Sequence, residues 1–191
     1  MTFLKWRFIG KIIVFLCLVS LLPGCGYRLG LGNSILRGKT LSIPYIEGDL
    51  DGSLTEAVIN AVSSCLDVAY TNGNGEIILK IAIIDGYEKH IGFRYDRKRS
   101  GKIKKSIIPI ETRATLIACL ELFDFNGCKL MGPVNIKASV DFDHDYYSSH
   151  NGVNLFSLGQ LSDIDSAEDA VRKPLHRALA EKIADFLNNA W

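Results

Sequence analysis

The chain has no CxxC pair, no G-x-S-x-G turn and no internal repeat, and its 191 residues include only four histidines and two tryptophans. Each absence removes a class of function. Without paired cysteines or clustered histidines there is no structural zinc motif. Without the glycine-flanked serine there is no nucleophile elbow, and nothing in the sequence requires an enzyme. Gly30-Leu31-Gly32 lacks the third glycine of a dinucleotide fingerprint and follows no strand, so it points to no nucleotide and no cofactor. The apolar run over residues 12–22 is shorter than the ~20 residues that span a bilayer. Charge of one sign is missing too. The formal net charge of +1 falls to −2 once Lys5, Arg7 and Lys11 are set aside, which gives no global basic excess for nucleic acid.

What is present begins with an export layout, in which Lys5, Arg7 and Lys11 precede the uncharged apolar run. Leu22-Pro23-Gly24-Cys25 follows at once and resembles a lipobox, where a signal peptidase leaves a lipidated cysteine as the new N-terminus. The expected organisation is a signal peptide over 1–24, a glycine-rich lipidated tether over 25–38, and one domain over 39–191. Two or more acyl chains, at ~0.8 kcal/mol per buried methylene, suffice to hold such a protein to a membrane. Gly26 rather than Asp after Cys25 resembles the signal for the outer membrane. An uncleaved anchor or an ordinary signal peptide would likewise put the rest outside the cytoplasm. Cys65, Cys119 and Cys128 then remain, allowing at most one internal disulfide.

Residues 39–46 read as a strand with Leu41, Ile43 and Tyr45 on one side, and Pro44 implies an edge or a bulge. Ser53 and Glu56 read as a capping box. It opens a helix whose apolar stripe runs from Leu54, Val58 and Val62 to Cys65 and Leu66 and makes Cys65 a core residue. A strand over 76–87 puts Ile77, Leu79, Ile81 and Ile83 on one face, and Ile78, Lys80, Ala82 and Ile84 on a second, mixed face, which suggests partial cover by another element or a partner. Residues 112–125 and 134–142 alternate as strands, with Arg113, Thr115 and Glu121 outward, around the hairpin signal Asn126-Gly127. A two-residue loop there sets Phe125 opposite Cys128 and Cys119 opposite Val134, and predicts no disulfide between Cys119 and Cys128. Residues 143–163 read as a polar loop. A helix from Asp165 to about Leu187 carries Val171, Leu175, Leu179, Ile183 and Leu187, with Pro174 kinking it or marking its start. The expected fold is α+β, two helices packed on one face of a small, about four-stranded mixed sheet.

The charge maximum comprises Lys89, Arg94, Arg97, Lys98, Arg99, Lys102, Lys104 and Lys105, opposed within that span by Asp96 alone. A concentrated positive tip attracts multivalent anions, and arginine adds bidentate geometry for phosphate or carboxylate. Tyr87, Phe93 and Tyr95 flank it and suit sugar or acyl surface. The alternative is a solvated hairpin tip whose charges prevent edge association. Asp141, Asp143, His144, Asp145 and His150 form a second cluster, but without the spacing of a calcium loop it reads as an acidic surface loop rather than a metal site. His176 reads as a packing residue beside the apolar stripe.

Cys25-Gly26-Tyr27-Arg28-Leu29 after the lipobox, Leu41-Ser42-Ile43-Pro44-Tyr45 and Leu54-Thr55-Glu56-Ala57 together resemble the lipopolysaccharide-assembly lipoprotein family, LptE. The resemblance covers nearly the whole chain after Cys25 as an order of elements, through short motifs. It implies a nonenzymatic outer-membrane lipoprotein on the periplasmic side that plugs the lipopolysaccharide-exporting β-barrel, LptD, and binds lipopolysaccharide through basic residues at a strand connection. The basic cluster matches the family in character and approximate place only. Rival readings are a binding module of another envelope-assembly machine and a metal-dependent hydrolase built on the Asp141 to His150 loop.

Overall fold

The computed structural model describes residues 36–97, 102–144 and 164–189. Five strands form one mixed sheet in the order β2-β1-β3-β4-β5: β1 (Thr40–Ser42), β2 (Ala69–Thr71), β3 (Ile77–Arg97), β4 (Ile103–Asp124) and β5 (Lys129–Asp143). Two helices, α1 (Ser53–Cys65) and α2 (Ile164–Asn189), complete an α+β fold. The fifth strand is the addition to the sequence reading. β2 is three exposed or half-exposed residues paired in parallel with β1, too short and too polar to leave an alternation.

α1 forms because Leu54, Val58 and Val62 recur every fourth residue and lie fully buried, with Leu66 just beyond. Its start is not the expected capping box. Gly52 holds the N-cap in a left-handed conformation, and two aspartates of the preceding loop satisfy the free amides. Asp49 Oδ2 accepts from Thr55 N at 2.8 Å, and Asp51 Oδ1 accepts from Ser53 N at 3.1 Å. A carboxylate at the positive end of a helix does both the bonding and the charge compensation of a cap. Cys65 is exposed, not buried as expected, since the stripe passes from Val62 to Leu66 and the helix ends between them.

α2 runs through the exposed Pro174, at the cost of one backbone donor rather than the helix. Ala167, Val171, Leu175, Leu179, Ile183 and Leu187 are all buried, and all but the first belong to the core shared with the sheet and α1. Opposite them lie Leu79 and Ile81 of β3, Ala114, Ala118, Leu120 and Leu122 of β4, and Ile136 and Ala138 of β5. The alternation expected for β4 and β5 is therefore the one observed. Thr115 is on the outward face as expected, yet it is buried there and hydrogen-bonded to Ser139 at 3.0 Å.

Three further expectations are corrected. The first strand ends at Ser42, before Pro44, and lies between β2 and β3 rather than at an edge. Past that proline the alternation breaks, so Tyr45 is 62% exposed and Ile46 is buried instead. The β4–β5 turn is a three-residue loop in which Gly127, at φ 82°, donates to Asp124 O, and Asp124 and Cys128 pair. Two register shifts then bring Cys119 opposite Asn135, not Val134. Gly132 sits in that shift at φ 98°, where a Cβ would lie 2.5 Å from Leu120 O. Cys65, Cys119 and Cys128 are all free thiols.

Candidate functional site

The basic segment is largely strand, not a loop. β3 and β4 pair from Ile77↔Asp124 out to Arg97↔Ile103, whereas β5 covers β4 only as far as Glu111↔Asp143. Beyond that point, among the described residues, residues 92–97 and 103–110 make a two-stranded arm. Register shifts near Ile91 and between Tyr95 and Arg97 mark β-bulges, which increase twist and re-aim side chains. Tyr95 pairs with Ile107 and Phe93 with Pro109, so these side chains share one face of the arm. Phe93, Tyr95 and Ile107 are 56%, 61% and 60% exposed. Arg94 pairs with Ile108 on the other face.

The charged residues distribute along this arm and below it. Lys89 lies on the sheet body opposite Arg113, and Arg94 and Arg97 lie in the arm's first strand. Lys102 precedes the second strand and is exposed, while Lys104 and Lys105 lie within that strand. Lys98 and Arg99 fall outside the described residues. The structure thus places Arg94, Arg97, Lys102, Lys104 and Lys105 on one hairpin, with Lys89 at its base.

The outward sheet face continues the pattern. Arg113 donates to both oxygens of Asp141, at 2.6 and 2.7 Å, and this bidentate bond lowers the Asp141 pKa and raises that of Arg113. Lys137 donates to the Tyr87 hydroxyl at 2.7 Å, holding the phenol below its ordinary pKa. Lys80 and Lys129 both lie over the Phe123 ring, with Nζ 4.7 and 5.6 Å from its centre. Of the residues expected on this second face, Lys80 and Ile84 are exposed, and Ile78 and Ala82 are half-buried.

The Asp141 to His150 cluster does not converge within the described residues. Asp141 is engaged by Arg113 on the outward face, Asp143 is exposed, and His144 is buried on the helix-facing side, with Nε2 2.8 Å from Thr112 Oγ1. Asp145 and His150 lie outside the described residues. Thr112 also bonds His90 Nδ1 at 2.8 Å, so a histidine-threonine-histidine chain crosses the sheet where the arm begins. Beside it, partial desolvation pushes the Glu88 carboxyl above its ordinary range, and the Glu168 carboxyl of α2 adds to the rise. A raised carboxyl favours folding below its ordinary pKa of 4.5 and loses that contribution as pH climbs through the folded value. Glu88→Gln is therefore expected to leave stability unchanged near pH 4 and to raise it at pH 7. Denaturant midpoints across that range test this; a wild type and variant with parallel pH profiles would refute it.

No protein-family model matches the chain, and neither does any curated protein sequence. Solved structures do. A minor lipoprotein of Acinetobacter baumannii matches at 14% identity over 80% of this chain and 92% of its own, with a TM-score of 0.50. Rare lipoprotein B of Shewanella oneidensis matches at 12% identity over 78% and 89%, with a TM-score of 0.42. The chain shares its fold with the first of these. At this identity the likeness extends to the fold and to nothing finer.

Sequence reading missed a second constellation, at the start of α1. Ser53 Oγ lies 2.8 Å from Asp51 Oδ1 and 2.7 Å from His176 Nδ1 of α2. The bonds from Ser53 lower the Asp51 pKa, and burial lowers that of His176 against the pull of Asp49 and Asp51. Ser53 and His176 are 123 positions apart, so no spacing in the sequence announces the pair.

Proposed function

We propose that this chain is a nonenzymatic lipoprotein, anchored to the outer membrane through lipid on Cys25, that plugs a lipopolysaccharide-exporting β-barrel and binds lipopolysaccharide. The observation that carries the reading is the two-stranded arm, whose strands contain Arg94, Arg97, Lys104 and Lys105 and which exposes Phe93, Tyr95 and Ile107. Lipopolysaccharide has the complementary chemistry: phosphates and acidic sugars joined to acyl chains. Arginine and lysine hold the anions, and Phe93, Tyr95 and Ile107 lie against sugar rings or acyl surface. Anchoring raises the local concentration of the domain near its partner. Likeness in fold to a lipoprotein of known structure supports the anchor, and the lipobox-like Leu22-Pro23-Gly24-Cys25 would supply its chemistry.

The reading predicts that the tagged chain, extracted in mild detergent, elutes with a large heat-modifiable barrel in stable stoichiometry. Recovery of the lipoprotein alone, with that barrel intact in the same extract, would overturn the plug. Cys25→Ser is expected to reduce the recovered complex while leaving the circular dichroism of the domain unchanged.

A further inference from the structure

Asp49, Asp51 and His176 each bring a donor atom within 4.8 Å of the other two, from a loop on one side and from α2 on the other. Asp49 is only 3% exposed. Its Oδ2 accepts from Thr55 N at 2.8 Å and from Thr55 Oγ1 at 2.7 Å, so that oxygen is accounted for by the helix cap. Its Oδ1 is buried and takes no hydrogen bond. A buried carboxylate oxygen without a partner is rare in folded proteins and asks for a missing ligand. Carboxylate capping explains Oδ2 and the Asp51 contacts. It leaves Oδ1 without a partner, and His176, held by its bond to Ser53 Oγ, stands within reach of both carboxylates.

We propose that Asp49, Asp51 and His176 form a divalent-cation site of the zinc class that ties the start of α1 to α2. Two carboxylate oxygens with one imidazole nitrogen make a mixed donor set of borderline softness, which favours zinc and its neighbours over calcium and magnesium, whose sites are built from oxygen alone. Metal-to-ligand distances of ~2.0–2.2 Å put tetrahedral donors roughly 3.4 Å apart, so the three need only small side-chain adjustments to close on an ion. Ser53 Oγ or water fills the fourth position. The helix end opposes a cation with roughly +0.5 of a charge, less than the two carboxylates supply. The absence of cysteine and histidine motifs excludes a zinc finger, not this site, because packing of α2 against α1 assembles it.

The test is titration of the chelator-treated full-length protein with zinc chloride at pH 7.5, read by calorimetry and by thermal unfolding, with magnesium and calcium as controls. One equivalent of zinc is expected to bind. At free zinc of 100 times the dissociation constant the folded-to-unfolded ratio rises about 100-fold, and the melting midpoint rises with it. His176→Gln and Asp51→Asn are each expected to weaken binding at least about tenfold. Both leave the Asp49 cap intact, and circular dichroism confirms their folding. Cys65→Ser and Cys128→Ser are expected to bind zinc as the wild type does. X-ray absorption at the zinc edge should show nitrogen and oxygen ligands only. Three results would each overturn the site: no saturable binding, sulfur among the ligands, or unchanged affinity in folded His176→Gln. The last two assign the metal to the free thiols or to adventitious surface binding.

Discussion

Leu179→Ala is expected to lower the thermal unfolding midpoint by roughly 5–15 °C. Leu179 is fully buried on the face of α2 that also carries Leu175, Ile183 and Leu187, each four residues from the next. Truncation removes the transfer energy of three methyl or methylene groups and leaves a cavity, because the surrounding side chains relax only in part. Leucine-to-alanine changes of this kind cost about 2–5 kcal/mol. In a domain of this size each kcal/mol moves the midpoint by about 2–4 °C. Cys65→Ser is the matched contrast. The thiol is exposed at the last turn of α1, so its replacement is expected to stay within about 0.5 kcal/mol of wild type. Thermal melts read the midpoint shift, and denaturant melts of both variants, with an unchanged slope, read the free energy. A Leu179→Ala protein within about 1 kcal/mol of wild type would show that α2 does not dock as described.

The elements legible in the sequence are those whose burial follows a single period. Leu54, Val58 and Val62 announce α1; Val171 through Leu187 announce α2; and alternation from Val134 to Phe142 announces β5. Each faces one core, so the pattern and the burial coincide. Where burial has another source, the pattern misleads. Cys65 continues the α1 stripe on paper, but it is the last residue of the helix and Leu66, just beyond it, takes the buried place. Ser53 and Glu56 have the spacing of a capping box, but Asp49 and Asp51 reach the same amides from a turn that Gly52 closes. β2 is held by backbone pairing with β1, which leaves no apolar signature.

The arm is a sharper case of the same limit. From Lys89 to Lys105 the run of charge suggests a connection, and none of the described side chains there is buried. The strands persist nonetheless, since Arg94↔Ile108 and Tyr95↔Ile107 satisfy their backbone groups across the pair. Composition therefore located the candidate site and mistook its form. The form matters for function. A hairpin fixes which residues share a face, so the exposed apolar group formed by Phe93, Tyr95 and Ile107 emerges only once the register is known. The acidic cluster shows the reverse. Asp141 and His144 are neighbours in sequence, but strand alternation sends them to opposite faces, and Arg113 claims the first.

Replacing Lys98, Arg99, Lys102 and Lys104 together with glutamate is expected to reduce lipopolysaccharide affinity on the order of 100-fold at ~0.15 M salt. The magnitude follows from pair energies. An exposed ion pair is worth ~0.2–1 kcal/mol, and reversal replaces each attraction by a repulsion of similar size, so four positions sum to roughly 3 kcal/mol. A difference of that size corresponds to about two decades in dissociation constant. The same argument requires salt dependence. At ~0.15 M the screening length is ~8 Å, so the wild type is expected to weaken steeply between 0.05 and 0.5 M salt, and the reversed variant to respond far less or with opposite sign. Stability is expected to hold, because lysine and glutamate are both at home on a polar surface and Lys102, the described side chain among the four, is exposed. Phe93→Ala with Tyr95→Ala separates the two halves of the proposed contact: affinity is expected to fall with little change in salt slope, since these rings contribute area rather than charge. Binding of labelled lipopolysaccharide to each protein, across a salt series, measures both effects. Equal affinity and equal slope in wild type and the fourfold reversal would leave the arm a solvated hairpin whose charges serve only to keep its edges apart.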